Sequence, residues 1–122
     1  MASSLTVIGL GYVGLPLAQE ACKSGLEVVG LDTDQSVVSG LAAGVSHIDD
    51  IDSSDLTEMV GSGFVATTEP TCIRGSDVIV ICVPTPLDAD GSPDLSVVKA
   101  AARNISGHLQ PGSLVVLEST TY

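Results

Sequence analysis

Short runs of β-branched and apolar residues alternate with longer stretches in which apolar residues recur at helical spacing. Strands are predicted at Leu5 to Gly9, Glu27 to Leu31, Phe64 to Thr67, Val78 to Val83 and Leu114 to Leu117. Between the first two, Val13, Leu17 and Ala21 recur every four residues and predict one apolar stripe on a helix ending near Ser24-Gly25. Pro16 falls in that helix's first turn, where a missing N–H is tolerated. A second helix is predicted from Asp34, whose carboxylate can cap free N–H groups, through Val37, Val38 and Leu41 to Gly44. A later one starts near Pro93-Asp94 and is predicted to bury Val97, Val98, Ala101, Ala102 and Ile105. Strands alternating with helices in this way point to a parallel sheet with helices on its faces.

The 122 residues are the size of one domain. No apolar stretch approaches the roughly 20 residues that a membrane span needs, and the N-terminus passes from Met1-Ala2-Ser3-Ser4 straight into strand-like sequence, unlike a secretory signal. The expectation is a cytoplasmic protein with no membrane partner. A net charge of −11 argues against nucleic acid as a partner. It also means that a bound phosphate must be held by local dipoles, against the field of the whole molecule. Three widely spaced cysteines, Cys22, Cys72 and Cys82, suit neither a disulfide framework nor a zinc site and read as free thiols, with Cys22 and Cys82 in the core. The acidic run Asp49, Asp50, Asp52, Asp55 and Glu58 reads as a solvated turn leading into a short helix, and a metal site is not needed to explain it. His47 and His108 have no partner pattern and read as surface or loop residues.

The chemistry is concentrated at strand ends. Gly9-Leu10-Gly11-Tyr12-Val13-Gly14 has the GxGxxG spacing, directly after a strand and opening a helix. Gly9 permits the tight turn, Gly11 lets a pyrophosphate approach the backbone, and Gly14 lets the helix pack against the strand. The free N–H groups and positive dipole end of the helix would hold the phosphates. Asp32, 23 positions after Gly9 and at the end of the second strand, suits an acceptor for adenosine ribose hydroxyls and repels a 2′-phosphate, so NAD is the expected cofactor and not NADP. The loop Cys82-Val83-Pro84-Thr85-Pro86-Leu87-Asp88 follows the strand expected beside the first one, and Thr85 there offers a hydroxyl to a ribose or phosphate. A rigid connection without a ligand role fits that spacing nearly as well. Thr120, after the fifth strand, points to the same crevice or is an ordinary strand-end threonine. The fold class is therefore α/β, a Rossmann-like doubly wound parallel sheet in three αβα layers. The chain stops soon after its fifth strand with no closing helix, which suggests a truncated domain.

The sequence resembles the nucleotide-sugar 6-dehydrogenases, the UDP-glucose/GDP-mannose dehydrogenase family. The resemblance rests on Gly9-Leu10-Gly11-Tyr12-Val13-Gly14-Leu15-Pro16-Leu17-Ala18, Val83-Pro84-Thr85-Pro86-Leu87-Asp88, Pro93-Asp94-Leu95-Ser96 and Glu118-Ser119-Thr120. The Val-Pro-Thr-Pro form is more similar to the branch acting on UDP-N-acetyl-mannosamine or UDP-N-acetyl-glucosamine. The resemblance implies that Tyr12, Val13, Asp32, Thr85 and Thr120 contact NAD, that the substrate is a UDP-sugar, and that the parent enzyme is a homo-oligomer. It implies oxidation of the sugar C6 alcohol to the uronate with two NAD, through a cysteine thiohemiacetal and a thioester. The catalytic cysteine, lysine and asparagine belong to regions that these 122 residues do not contain, and Cys82 is not that cysteine. Many relatives carry Arg or Lys five residues after the ribose-binding acid, where this chain has Val37. Two other readings share the glycine opening: a nucleotide-sensing module of the potassium-channel regulatory type, and the N-terminal domain of a β-hydroxyacid dehydrogenase. The double-proline loop with Glu118-Ser119-Thr120 sets the first apart, and the double-proline loop with Pro93-Asp94-Leu95-Ser96 sets the second apart.

Overall fold

The computed structural model describes residues 3–49, 51–83, 88–92 and 94–118. Five strands, β1 (Ser4–Ile8), β2 (Glu27–Leu31), β3 (Val65–Thr67), β4 (Val78–Ile81) and β5 (Leu114–Leu117), form one sheet in the order β3-β2-β1-β4-β5. Every neighbouring pair is parallel. Parallel neighbours need crossover connections, and four α-helices supply or flank them: α1 (Gly14–Lys23), α2 (Gln35–Ala42), α3 (Ser53–Gly61) and α4 (Ser96–Ser106). A 3-10 turn at Pro70–Ile73, which the periodicity did not signal, leads into β4.

Alternation along the strands divides the core between the two faces of the sheet. Leu5 and Val7 of β1 and Val80 of β4 pack with Leu15, Ala18 and Cys22 of α1 and with Leu41, Leu56 and Met59 of α2 and α3. Ile8, Ile79 and Ile81 point the other way, onto Ile73, Ala101 and Ile105. Because the side-chain period of a strand is two, this is the pattern of a sheet covered on both faces. The expected three-layer parallel architecture is the one observed.

The predicted helices exist, but two of their buried faces are rotated from expectation. In α1 the buried residues are Gly14, Leu15, Ala18, Ala21 and Cys22, while Val13 is exposed and Leu17 half-buried. The reason is Gly14: a Cβ there would lie 1.7 Å from the Gly9 carbonyl oxygen, so the helix meets the turn on its glycine side and turns Val13 outward. In α4, Ala101 and Ile105 are buried as expected, but Val97 and Ala102 are exposed and Val98 is half-buried. That helix starts at Ser96, later than expected, and the Asp94 carboxylate accepts the Ser96 N–H at 2.9 Å. Asp34 does cap α2, accepting the Ser36 N–H at 2.9 Å.

The acidic run is a helix start. Asp52 Oδ1 accepts the Asp55 N–H at 2.8 Å and Asp55 Oδ2 accepts the Asp52 N–H at 3.1 Å, a reciprocal capping box at the head of α3. Cys22 and Cys82 are buried free thiols, and Cys72 is half-buried. Among the described residues no helix is long and apolar enough to cross a membrane.

Candidate functional site

At the carboxyl ends of β1, β2 and β4 a cleft of about 850 Å³ opens over the glycine turn. Its position follows from topology: the chain leaves β1 toward β2 on one side, while β4 occupies the other, so the loops after β1 and β4 diverge and leave a crevice. The cleft is lined by Gly9, Leu10, Gly11, Tyr12 and Val13 of the turn, by Asp32, Asp34 and Val37 after β2, and by Cys82, Val83 and Glu118 on the β4–β5 side.

The three glycines of the motif have three different reasons. Gly9 has φ of +95°, and a Cβ on it would approach the Cys82 carbonyl oxygen to 2.7 Å. Gly14 is excluded from bearing a side chain by the Gly9 carbonyl oxygen. Gly11 is unlike either, because a Cβ there would meet nothing within 4 Å. Among the described residues no contact explains Gly11, and the space in front of it opens on the cleft.

The head of α1 has no side-chain cap and no acidic residue in its first turn. Its first N–H groups therefore keep their positive end turned toward the turn and cleft, with no carboxylate of the helix itself to cap them. Tyr12 and Val13 sit at the mouth, exposed.

Asp32 ties the site together. Its Oδ2 accepts the Leu10 N–H at 2.9 Å, and its Oδ1 accepts the Asp34 N–H at 2.9 Å. Each oxygen retains a second lone pair, so a diol can still be received there. On the other side of the turn, His47 Nε2 contacts the Leu10 carbonyl oxygen. His47 is an exposed loop residue as expected, but it is not partnerless, and nothing in its sequence neighbourhood signals the contact.

The charge of the cleft is one-sided. Asp32, Asp34 and Glu118 line it, and among the described lining residues His47 alone can carry a positive charge. Hydrogen bonds from the Ser36 hydroxyl and N–H hold the Asp34 carboxyl below the usual carboxylate range, with His47 nearby adding to the effect. Burial, aided by Glu118, pushes the Cys82 thiol up to about 11. Such a thiol stays protonated near neutrality and is not an activated nucleophile.

Gly30 is a functional position that sequence reasoning missed. In the middle of β2, its absent Cβ would lie 2.7 Å from a Leu10 methyl, so the glycine makes room for Leu10 to be wholly buried beneath the turn. A lone glycine inside a strand pattern signals such a close approach. Two expected cofactor contacts, Thr85 and Thr120, lie outside the described residues, as do Pro84, Pro86 and Leu87.

A parallel doubly wound sheet, a glycine turn at its switch point and an acid at the end of the second strand define a nucleotide-binding domain of the Rossmann type. The chain belongs to the UDP-glucose/GDP-mannose dehydrogenase family, whose NAD binding domain model matches residues 3–122. Within the family it stands close to the UDP-N-acetyl-mannosamine dehydrogenases. It is 40% identical over 119 residues to UDP-N-acetyl-D-mannosamine dehydrogenase of Pyrococcus horikoshii, covering 95% of this chain and 28% of that protein. It is 42% identical over 120 residues to NDP-N-acetyl-D-galactosaminuronic acid dehydrogenase of Ralstonia nicotianae, covering 97% and 28% respectively. The solved structure of the P. horikoshii UDP-D-ManNAc dehydrogenase superposes with a TM-score of 0.89 at 40% identity, over 96% of this chain and 28% of that one. The chain thus spans little more than a quarter of the length of these relatives.

Proposed function

We propose that this chain is the NAD-binding half of a nucleotide-sugar 6-dehydrogenase, and that residues 1–122 form a single cofactor domain. The single observation that carries the reading is Gly11, a glycine with open space before it at the head of an uncapped helix, opposite a strand-end carboxylate. A dinucleotide pyrophosphate lies against Gly11 and the first N–H groups of α1, with Gly9 and Gly14 shaping the turn. The adenosine ribose hydroxyls donate to the free lone pairs of Asp32. Tyr12 and Val13 flank the dinucleotide at the mouth, and Thr85 and Thr120 are assigned as further cofactor contacts on the family resemblance. Val37 offers an apolar surface to the adenine where many relatives place a cation.

When bound, NAD accepts a hydride. The overall reaction of the complete enzyme is R–CH2OH + 2 NAD+ + H2O → R–COO− + 2 NADH + 3 H+, where R–CH2OH is the C6 alcohol of a UDP-sugar. UDP-N-acetyl-mannosamine is the substrate favoured by the similarity to relatives of that name. This chain's residues bind and orient the acceptor, while the nucleophile and most of the sugar pocket are supplied from outside these residues. The complete enzyme is cytoplasmic and homo-oligomeric.

The test is calorimetric titration of the chain with NAD and with NADP, together with an absorbance assay for NADH on adding UDP-N-acetylmannosamine. NAD binding, NADP weaker by roughly tenfold or more, and no turnover are expected. NADH production by the chain alone, or equal affinity for the two dinucleotides, overturns the reading.

A further inference from the structure

One residue of the glycine turn is gripped on both sides, through the peptide that precedes it and the peptide that follows it. The Leu10 N–H donates to Asp32 Oδ2, and the Leu10 carbonyl oxygen meets His47 Nε2. A carbonyl oxygen can only accept, so Nε2 carries the proton and donates it. The Leu10 side chain is wholly buried, filling the space that Gly30 leaves open, so the residue cannot rotate to escape either bond.

The bond to His47 acts on the Leu10–Gly11 peptide, which also carries the Gly11 N–H. No peptide bond among the described residues is cis, and in a trans peptide the carbonyl and the following N–H point in opposite directions. Holding the Leu10 carbonyl toward His47 therefore holds the Gly11 N–H away from it. That N–H donates to no acceptor among the described residues.

We infer that His47 is a positioning residue for the dinucleotide: by donating to the Leu10 carbonyl, it fixes the Leu10–Gly11 peptide with the Gly11 N–H turned to the pyrophosphate. The inference rests on the NAD reading above. It assigns to a residue 36 positions beyond Gly11 in sequence a share in the phosphate grip that the glycine motif alone does not supply. Without the bond, the peptide is free to turn over and present a carbonyl oxygen to the phosphates, and part of the binding free energy is lost in setting it back.

The experiment compares the unsubstituted chain, His47→Ala and His47→Gln, with thermal melts of all three as a check on folding. Gln is chosen because its amide places a neutral donor at a similar reach. By calorimetry, NAD binding is expected to weaken about tenfold in His47→Ala and to recover to within about threefold in His47→Gln. In the absence of NAD, the Leu10 carbonyl carbon and Gly11 amide NMR signals should move in His47→Ala and stay near their places in His47→Gln. Equal NAD affinity in His47→Ala overturns the inference alone. So does a His47→Gln as weak as His47→Ala, since the contribution would then be charge and not position. An unsubstituted chain that binds no NAD overturns the cofactor reading itself, and the inference with it.

Discussion

The Leu10 N–H lies 2.9 Å from Asp32 Oδ2, joining the glycine turn to the end of the second strand across 22 positions of sequence. A residue expected to face the ligand is thus also a strut of the site itself. Asp32→Ala removes both the acceptor for Leu10 and the acceptor for Asp34. NAD affinity should fall by roughly tenfold or more, and the melting temperature should fall with it. Calorimetry and a thermal melt on the same sample measure the two losses, and an unchanged melting temperature would contradict the strut.

Gly11 and Gly14 should separate folding from binding. Gly14→Ala forces a methyl into the Gly9 carbonyl oxygen, so a destabilisation of about 3 kcal/mol or more is expected. Gly11→Ala meets open space, and stability should stay within about 0.5 kcal/mol of the original while NAD binding is impaired. Denaturant titration of both variants is the measurement. A Gly11→Ala protein that binds NAD normally removes the observation on which the functional reading stands.

Under the sheet, the Thr6 and Ser76 hydroxyls form a buried hydrogen bond between β1 and the approach to β4. Thr6→Val strands the Ser76 hydroxyl and should cost about 1–3 kcal/mol. Adding Ser76→Ala removes the stranded group, so the double variant should be closer to the original than the two single losses would sum to. A double-mutant cycle by urea unfolding tests this, with strict additivity as the contrary result.

Acid should weaken the caps. The Asp34 and Asp52 carboxyls are held below the usual carboxylate range by hydrogen bonds, from Ser36 in the first case and chiefly from the Asp55 N–H in the second. A group with a lowered folded pKa contributes stability that is present above its unfolded value and lost as the pH falls through the folded one. Melts taken from about pH 5 down to pH 2.5 should show the Asp34→Asn and Asp52→Asn differences from the original shrinking as the pH falls. Differences that stay constant would refute the linkage.

Much of this architecture is legible in the sequence because its signals are local. A strand, a glycine turn, a helix and an acid at the next strand end occupy the first 32 residues and require no distant partner to be recognised. The phase of α1 was not legible, because it depends on the Gly9 carbonyl meeting Gly14 and not on the spacing of Val13, Leu17 and Ala21. Nor was the facing of α4 legible: it turns Val98, Ala101 and Ile105 onto the sheet, while Val97 lines the cleft and Ala102 is exposed. His47 and Gly30 escaped notice for a common reason. Each acts on Leu10 from a separate element, and Leu10 occupies one of the variable positions of the glycine motif.

The one-sided charge of the cleft reverses the usual response of phosphate binding to salt. Where lysines and arginines grip a phosphate, added salt competes and affinity drops. Here the grip comes from backbone N–H groups, while Asp32, Asp34, Glu118 and a net charge of −11 oppose the incoming dinucleotide. Raising ionic strength shortens the reach of that opposition more than it weakens the short-range grip. NAD should therefore bind this domain more tightly in moderate salt than in dilute buffer.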